Sequence, residues 1–300
     1  MPELVEVELY RRLAERAVGR RVGAVDAPDD WFLKGGLTAR RVRDALRGQT
    51  FTGTRRIGKL LLLDTDGPHV LGLRFGMTGR LLVDGSAGID ELIYSSVRDE
   101  PAWDRFTVRF DDGGDLRVRD PRRLGGVELD PDEARLGVDA HGITLPLLRS
   151  ALAKGTGPLK ARLMDQARIA GIGNLTVDEA LWRAGLDPAR PAGGLDDAEV
   201  KRLHTHLRRT LDHMLRRGGS HTGTLQAIAR LAGAARRTAL RSCGAPSAAG
   251  RRGRAPTTSA DDQVGRLRRE VRDAGRLRRL HGAARRGGDP GAVFGRRTIG

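Results

Sequence analysis

Residues 159–184, LKARLMDQARIAGIGNLTVDEALWRA, decide the architecture. Two helical patterns, 159–167 and 175–184, flank the glycine-rich turn Ala170-Gly171-Ile172-Gly173-Asn174, which predicts a helical hairpin whose backbone N–H groups point at a phosphate. On the amino-terminal side a third helical pattern covers 145–153. On the carboxy-terminal side the clearest one runs near 196–217, with Val200, Leu203, Leu207, Leu211, Met214 and Leu215 on one stripe. Further upstream the period changes from helix to strand. Short apolar runs at 59–64, 70–75 and 79–83 are split by Asp66-Gly67 and by Gly76-Met77-Thr78-Gly79. Phe106, Val108 and Phe110 then alternate with Arg105, Thr107 and Arg109, and Asp111-Asp112-Gly113-Gly114 turns the chain into Leu116 and Val118. Regular short strands with turn signals predict a sandwich or barrel. One helix precedes them, with Leu9, Leu13 and Ala17 on one face and Gly19 as its C-cap. Strands followed by helices define an α+β chain. The expected organisation is a strand-rich domain over 1–130, a linker over 131–144, a helical domain over 145–224, and an Arg/Ala/Gly-rich tail over 225–300.

The 300 residues suffice for two domains with a sizeable core. The longest unbroken aliphatic run, Leu60 to Leu63, is far short of the ~20 residues a membrane span needs. Glu3, Glu6 and Glu8 in the first eight residues argue against a secretory signal, and the expected compartment is the cytoplasm. A single cysteine, Cys243, excludes a disulfide framework and a thiolate-rich metal site. Lys and Arg number 54 against 38 acidic residues, a net charge of +16, which favours a polyanion partner, nucleic acid being the commonest. The charge is uneven: residues 241–300 hold 15 Arg, no Lys and 5 acidic residues, so +10 lies in the last fifth. A membrane surface or an acidic protein would be drawn to the same charge. His204, His206 and His213 do not share a helix face and read as surface or boundary residues rather than metal ligands.

The amino terminus Met1-Pro2-Glu3-Leu4-Val5-Glu6-Val7-Glu8 resembles the signature of the Fpg/Nei family of DNA glycosylases/AP lyases. Four further motifs follow in family order. They are Gly58-Lys59, Gly76-Met77-Thr78-Gly79, Asp120-Pro121-Arg122-Arg123-Leu124-Gly125, and Leu163-Met164-Asp165-Gln166 through Gly171-Ile172-Gly173-Asn174. The resemblance covers residues 1–224. It implies an N-terminal β-sandwich capped by the first helix, a helix–two-turn–helix domain, and DNA in the cleft between them. It also implies a chemistry. Removal of Met1 frees the secondary amine of Pro2, and an α-amino group titrates at ~7.7–8.0, leaving a useful unprotonated fraction near neutrality. Attack on the sugar C1′ expels the damaged base and leaves an iminium with no N–H proton to lose, an electron sink for β- and then δ-elimination. Glu3 is expected to protonate the ring oxygen and shuttle protons, and Lys59 to hold the phosphate beside the lesion. Met77, Arg122 and Leu124 correspond to the residues that fill the hole left by the flipped nucleotide, Leu124 standing where many relatives carry an aromatic. Phosphate contacts are expected from Arg74, where relatives often carry His, and from Lys160 and Asn174. The implied partner is double-stranded DNA with oxidised bases or abasic sites, bound by a nucleoid-associated monomer.

The chain departs from the family pattern in three places. Val5 replaces a second proline that would preset φ at the helix start. Relatives usually end in a four-cysteine zinc finger whose hairpin arginine grips phosphates; Cys243 alone cannot supply four ligands, so no metal or other cofactor is expected. The tail reads as a degenerate replacement for that finger, flexible or translated from a GC-rich gene out of frame, and only Arg296-Arg297-Thr298 echoes the finger hairpin. Without a finger, weaker DNA binding and impaired δ-elimination are expected. Finally, Gly218-Gly219-Ser220-His221-Thr222-Gly223 looks closer to the endonuclease VIII-like branch, which takes oxidised pyrimidines. The amino-terminal signature leans toward the formamidopyrimidine/8-oxoguanine branch. Two other readings remain open: a non-catalytic damaged-DNA-binding relative, and an Arg-rich RNA-binding protein.

Overall fold

The computed structural model describes residues 2–89 and 98–220. The sequence expectations for Cys243, the tail from residue 225 and His221 to Gly223 lie outside the described residues. The first helix, α1 (Leu4–Ala14), runs into a 3-10 turn at Glu15–Ala17. Strand β1 (Val22–Asp26), helix α2 (Ala39–Leu46) and strands β2 (Phe51–Ile57), β3 (Leu60–Thr65), β4 (Val70–Arg74), β5 (Arg80–Val83) and β6 (Ser86–Ala87) follow. Beyond them come β7 (Asp104–Phe110), β8 (Asp115–Arg119), β9 (Gly126–Leu129) and β10 (Val138–Asp139). The helical part consists of α3 (Leu145–Leu152), α4 (Leu159–Met164), the short strand β11 (Ile169–Ala170), α5 (Asn174–Ala184) and α6 (Asp197–Arg217).

The strands form a sandwich as expected. One sheet has the order β1-β7-β8-β5-β6 and the other β2-β3-β4-β9, all antiparallel. Their inner faces bury Leu61, Leu63, Leu71, Leu73, Phe106, Val108, Leu116 and Val118 in one core. A second core belongs to the helices, where Val200, Leu203, Leu207, Leu211 and Met214 line one face of α6 and Leu215 is only partly buried. Helix α6 is closed by reciprocal bonds between Asp196 and Glu199 at its start and by Gly218 at φ 75° at its end.

Helix α1 joins the two cores. Leu4 and Val5 pack among the helices, whereas Val7, Tyr10, Ala14 and Ala17 pack under the sandwich. The expected face of Leu9, Leu13 and Ala17 is thus displaced: Leu9 and Leu13 sit half-buried at the rim of the sandwich core. The expected C-cap also shifts, because Glu15 ends the helix in an αR conformation and Gly19 turns the chain only after the 3-10 turn. Segment 131–144 carries more order than a plain connection. Its β10 pairs in parallel with β11, and Ala140 and Ile143 enter the helical core.

The seam between the two parts is polar and buried. The Arg56 side chain, 7% exposed, bonds to Asp139 at 2.6 and 3.1 Å and to Glu8 at 3.3 Å. Asp139 also accepts the Gly58 N–H at 2.7 Å. Gly58 has φ +57°, and a Cβ there would lie 2.7 Å from both the Ala170 Cβ and the Gly171 nitrogen. Only glycine fits this turn, which carries Lys59 against the helical hairpin.

Candidate active site at the junction of the sandwich and the helices

Pro2, Lys59, Arg74, Met77 and Leu124, all singled out in the sequence, line one cavity of about 400 Å³, together with Phe75, Leu136 and Gln166. Pro2 is buried and Lys59 half-buried. Burial pushes the Lys59 ammonium below its ordinary pKa, and the nearby carboxylates of Glu3 and Glu6 oppose that shift. Met77 sits on the turn from β4 to β5, whose Gly79 carbonyl accepts the hydroxyl of buried Tyr10 at 3.2 Å. The Tyr10 ring rests on Phe75 with centroids 4.5 Å apart.

Glu3 is fully buried beside this cavity and points at the start of α5. Its Oε1 accepts the Leu175 N–H at 2.8 Å, and its Oε2 accepts the Thr176 N–H at 3.1 Å and the Thr176 hydroxyl at 2.5 Å. These two amides lie just beyond the glycine-rich turn, in the first turn of α5. Of the amides expected to face an external phosphate, that of Gly171 is instead taken by Gln166 at 2.9 Å. The positive end of the helix favours an anion there whatever its source. Gly173 makes room for it: a Cβ at that position would fall 2.2 Å from the Glu3 Cδ. Gln166 also donates to the Ile172 carbonyl at 3.0 Å, and the Leu4 N–H bonds the Gly171 carbonyl at 3.1 Å. Glu6 accepts the Glu3 N–H at 2.8 Å and the Ser220 N–H at 2.6 Å, tying the amino terminus to the end of α6.

The remaining candidates lie outside the cavity lining. Arg122 is exposed on the loop from β8 to β9, next to Leu124, which is 49% exposed. Asn174 is exposed at the first residue of α5. Two cations expected on phosphates already have partners: Arg74 pairs with Glu128 at 2.6 Å and Lys160 with Asp178 at 2.6 Å. His204 bonds the Ile143 carbonyl at 2.9 Å, and among the described residues no three His, Cys, Asp or Glu side chains are grouped to hold a metal. Sequence reading quoted Gln166 inside a motif without a role and passed over Thr176. No periodicity marks a hydroxyl whose partner lies 173 residues away.

A β-sandwich joined by its first helix to a helix–two-turn–helix unit, with Pro2 at the joint, defines the Fpg-like fold class. The comparisons agree on both halves. Residues 1–127 match the formamidopyrimidine-DNA glycosylase N-terminal domain and residues 136–226 the helix–two-turn–helix domain of the same enzymes. The chain belongs to the formamidopyrimidine-DNA glycosylase family. It is 35% identical over 232 residues to the formamidopyrimidine-DNA glycosylase of Paracoccus denitrificans, covering 73% of this chain and 80% of that one. A relative from Arabidopsis thaliana is 33% identical over 225 residues, 71% of this chain, and the match spans only 57% of the plant protein. Among solved structures, a Lactococcus lactis Fpg complexed with DNA containing an abasic site is similar, with a TM-score of 0.62, 26% identity, and coverage of 74% of this chain and 82% of that one. MutM in complex with DNA containing carbocyclic 8-oxo-G gives a TM-score of 0.63 at 27% identity, covering 76% and 86%.

Proposed function

We propose that this chain is a bifunctional DNA glycosylase/AP lyase that removes oxidised bases from duplex DNA and nicks the strand. The observation that carries the reading is the cavity shared by Pro2, Lys59, Arg74, Met77 and Leu124, with Glu3 fixed at its edge. The printed names of the relatives, and the damaged or abasic DNA in the similar complexes, support the same substrate class. In this reading the Pro2 nitrogen, freed by loss of Met1, bonds C1′ as the C1′–base bond breaks and its electron pair leaves with the base. Loss of the amine proton and cleavage of C1′–O4′, with Glu3 delivering a proton to O4′, leave an iminium on Pro2. Removal of a C2′ proton then expels the 3′ phosphate, and a second elimination expels the 5′ phosphate. Lys59 sits at the cavity wall, where a partly desolvated ammonium attracts a phosphate more strongly than one in bulk water. The reaction as written draws on no metal or redox cofactor.

The test is borohydride trapping on duplex DNA carrying an abasic site, with wild type and Pro2→Gly. The expected result is a covalent band with wild type that is lost in the variant. A folded, Met1-processed wild type that gives no band refutes the lyase and leaves a non-catalytic DNA-binding relative as the better account.

A further inference from the structure

Two loops cross from one sheet to the other at the same end of the sandwich. One joins β4 to β5 and carries Met77; the other joins β8 to β9 and carries Arg122 and Leu124. Their stems are paired, Arg74 opposite Gly126 and Arg80 opposite Arg119. Above the stems they touch backbone to backbone, so that a Cβ on Gly76 would fall 2.4 Å from the Leu124 carbonyl carbon.

One side chain joins them. Asp120 is fully buried. Its Oδ1 accepts the Thr78 hydroxyl at 2.5 Å from the first loop and the Arg122 N–H at 3.1 Å from its own. Its Oδ2 accepts the N–H groups of Leu124 and Gly125 at 2.9 and 2.8 Å. All four donors meet the oxygens of one carboxyl group, and each belongs to or adjoins a side chain expected to enter the duplex. The second loop is clamped again at Arg123, whose φ of 57° is held while its guanidinium makes two 2.6 Å bonds to Asp29.

We propose that Asp120 is a positioning residue that makes the two crossover loops one rigid wedge, so that Met77, Arg122 and Leu124 enter the base stack together. The proposal rests on the function above for the wedge residues, and on this geometry for their coupling. Asp120→Asn keeps the shape but turns an amide N–H₂ onto backbone donors that need an acceptor. Thr78→Val is milder: it removes only the hydroxyl that links one loop to the other, and Thr78→Ser restores that link.

The test compares abasic-site trapping in a duplex with trapping in a single strand, where no stack has to be opened. Asp120→Asn should lose about 10–100-fold on the duplex and less than about 2-fold on the single strand, the size of one or two buried charge-assisted bonds. Thr78→Val should show the same split to a lesser degree, and Thr78→Ser should recover it. Fluorescence of 2-aminopurine opposite the lesion, read on binding alone, should rise with wild type and stay low with Asp120→Asn. Equal losses on both substrates, or no loss on the duplex, overturn the proposal. If wild type traps nothing, the lyase reading fails and the fluorescence decides the wedge by itself: no rise with wild type, or an equal rise with Asp120→Asn, refutes it.

Discussion

Gly173→Ala tests the Glu3 geometry by adding a single methyl group and removing no functional atom. Gly173 has φ −120° and ψ −170°, a backbone that any residue adopts, so the effect is steric alone. The added Cβ would lie 2.2 Å from the Glu3 Cδ, 2.4 Å from its Oε1 and 2.5 Å from its Cγ. Carbon atoms settle at ~3.5–4.0 Å, so the carboxyl has to retreat by more than ~1 Å. The bonds from Leu175 and Thr176, now 2.8 and 3.1 Å, then stretch beyond the ~3.2 Å at which an N–H···O bond is effective. Hydrogen bonds to a charged group contribute ~1.5–3 kcal/mol each, and relaxation recovers part, so a loss of ~2–4 kcal/mol of stability is expected. A ~1 Å displacement of a catalytic group slows the reaction by ~100-fold, or ~2.7 kcal/mol of barrier. The assay pairs single-turnover base release from lesion-bearing duplex with a thermal melt, run well below the variant's midpoint. Gly157→Ala is the control, since a Cβ there meets nothing within 4 Å. A Gly173→Ala protein with wild-type rate and midpoint would refute the claim that docking on α5 sets Glu3 for its role.

Three other perturbations follow from the same structure. Because burial lowers the Lys59 pKa, between the lowered and the ordinary lysine value the unfolded chain holds a proton that the folded one lacks; this group therefore adds stability as pH rises through that window, while the ammonium offered to a phosphate is lost. Lys59→Arg, which stays charged, should move the alkaline limb of the trapping rate to higher pH, and an unmoved limb excludes Lys59 as its origin. Glu128→Gln frees Arg74 from its pair and should tighten duplex binding by about 2–5-fold in a salt titration, the ~0.5–1 kcal/mol of a partly exposed ion pair; unchanged or weaker binding argues that Arg74 does not reach a phosphate. Asp139→Ala leaves the buried Arg56 with Glu8 as its one carboxylate and strands the Gly58 N–H, and should cost ~1.5–3 kcal/mol, read as a melting midpoint about 5–10 °C lower, whereas a shift of a degree or two would mean that water replaces the carboxylate.

Among the described residues, strands β3, β4 and β5 are legible in the sequence as short apolar runs between turn signals, and β7, β8 and helices α3 to α6 by their apolar period. Strand β2 is not legible, because in FTGTRRI only Phe51 is buried. Its arginines point at partners brought by the tertiary fold, Asp64 and Glu133 for Arg55 and Asp139 and Glu8 for Arg56. Helix α2 is missed for the same kind of reason: in ARRVRDAL only Val42 and Leu46 are buried. Strand β1 buries only Val22 and Val25 around a glycine, and β9 is four residues long.

By itself the sequence determines a strand-rich part followed by helices and the ordered motifs whose family resemblance picks out Pro2, Lys59, Arg74, Met77 and Leu124, because periodicity and motif spacing are local properties of a chain. The tertiary structure alone decides who meets whom. It sets the Leu175 and Thr176 amides at the start of α5 on Glu3, pairs Arg74 and Lys160 with Glu128 and Asp178, and closes two distant loops over Asp120. Each of these is a contact between polar groups far apart in sequence. Such a contact leaves no period behind, since a buried donor needs only one acceptor at the right place, and the fold sets that place.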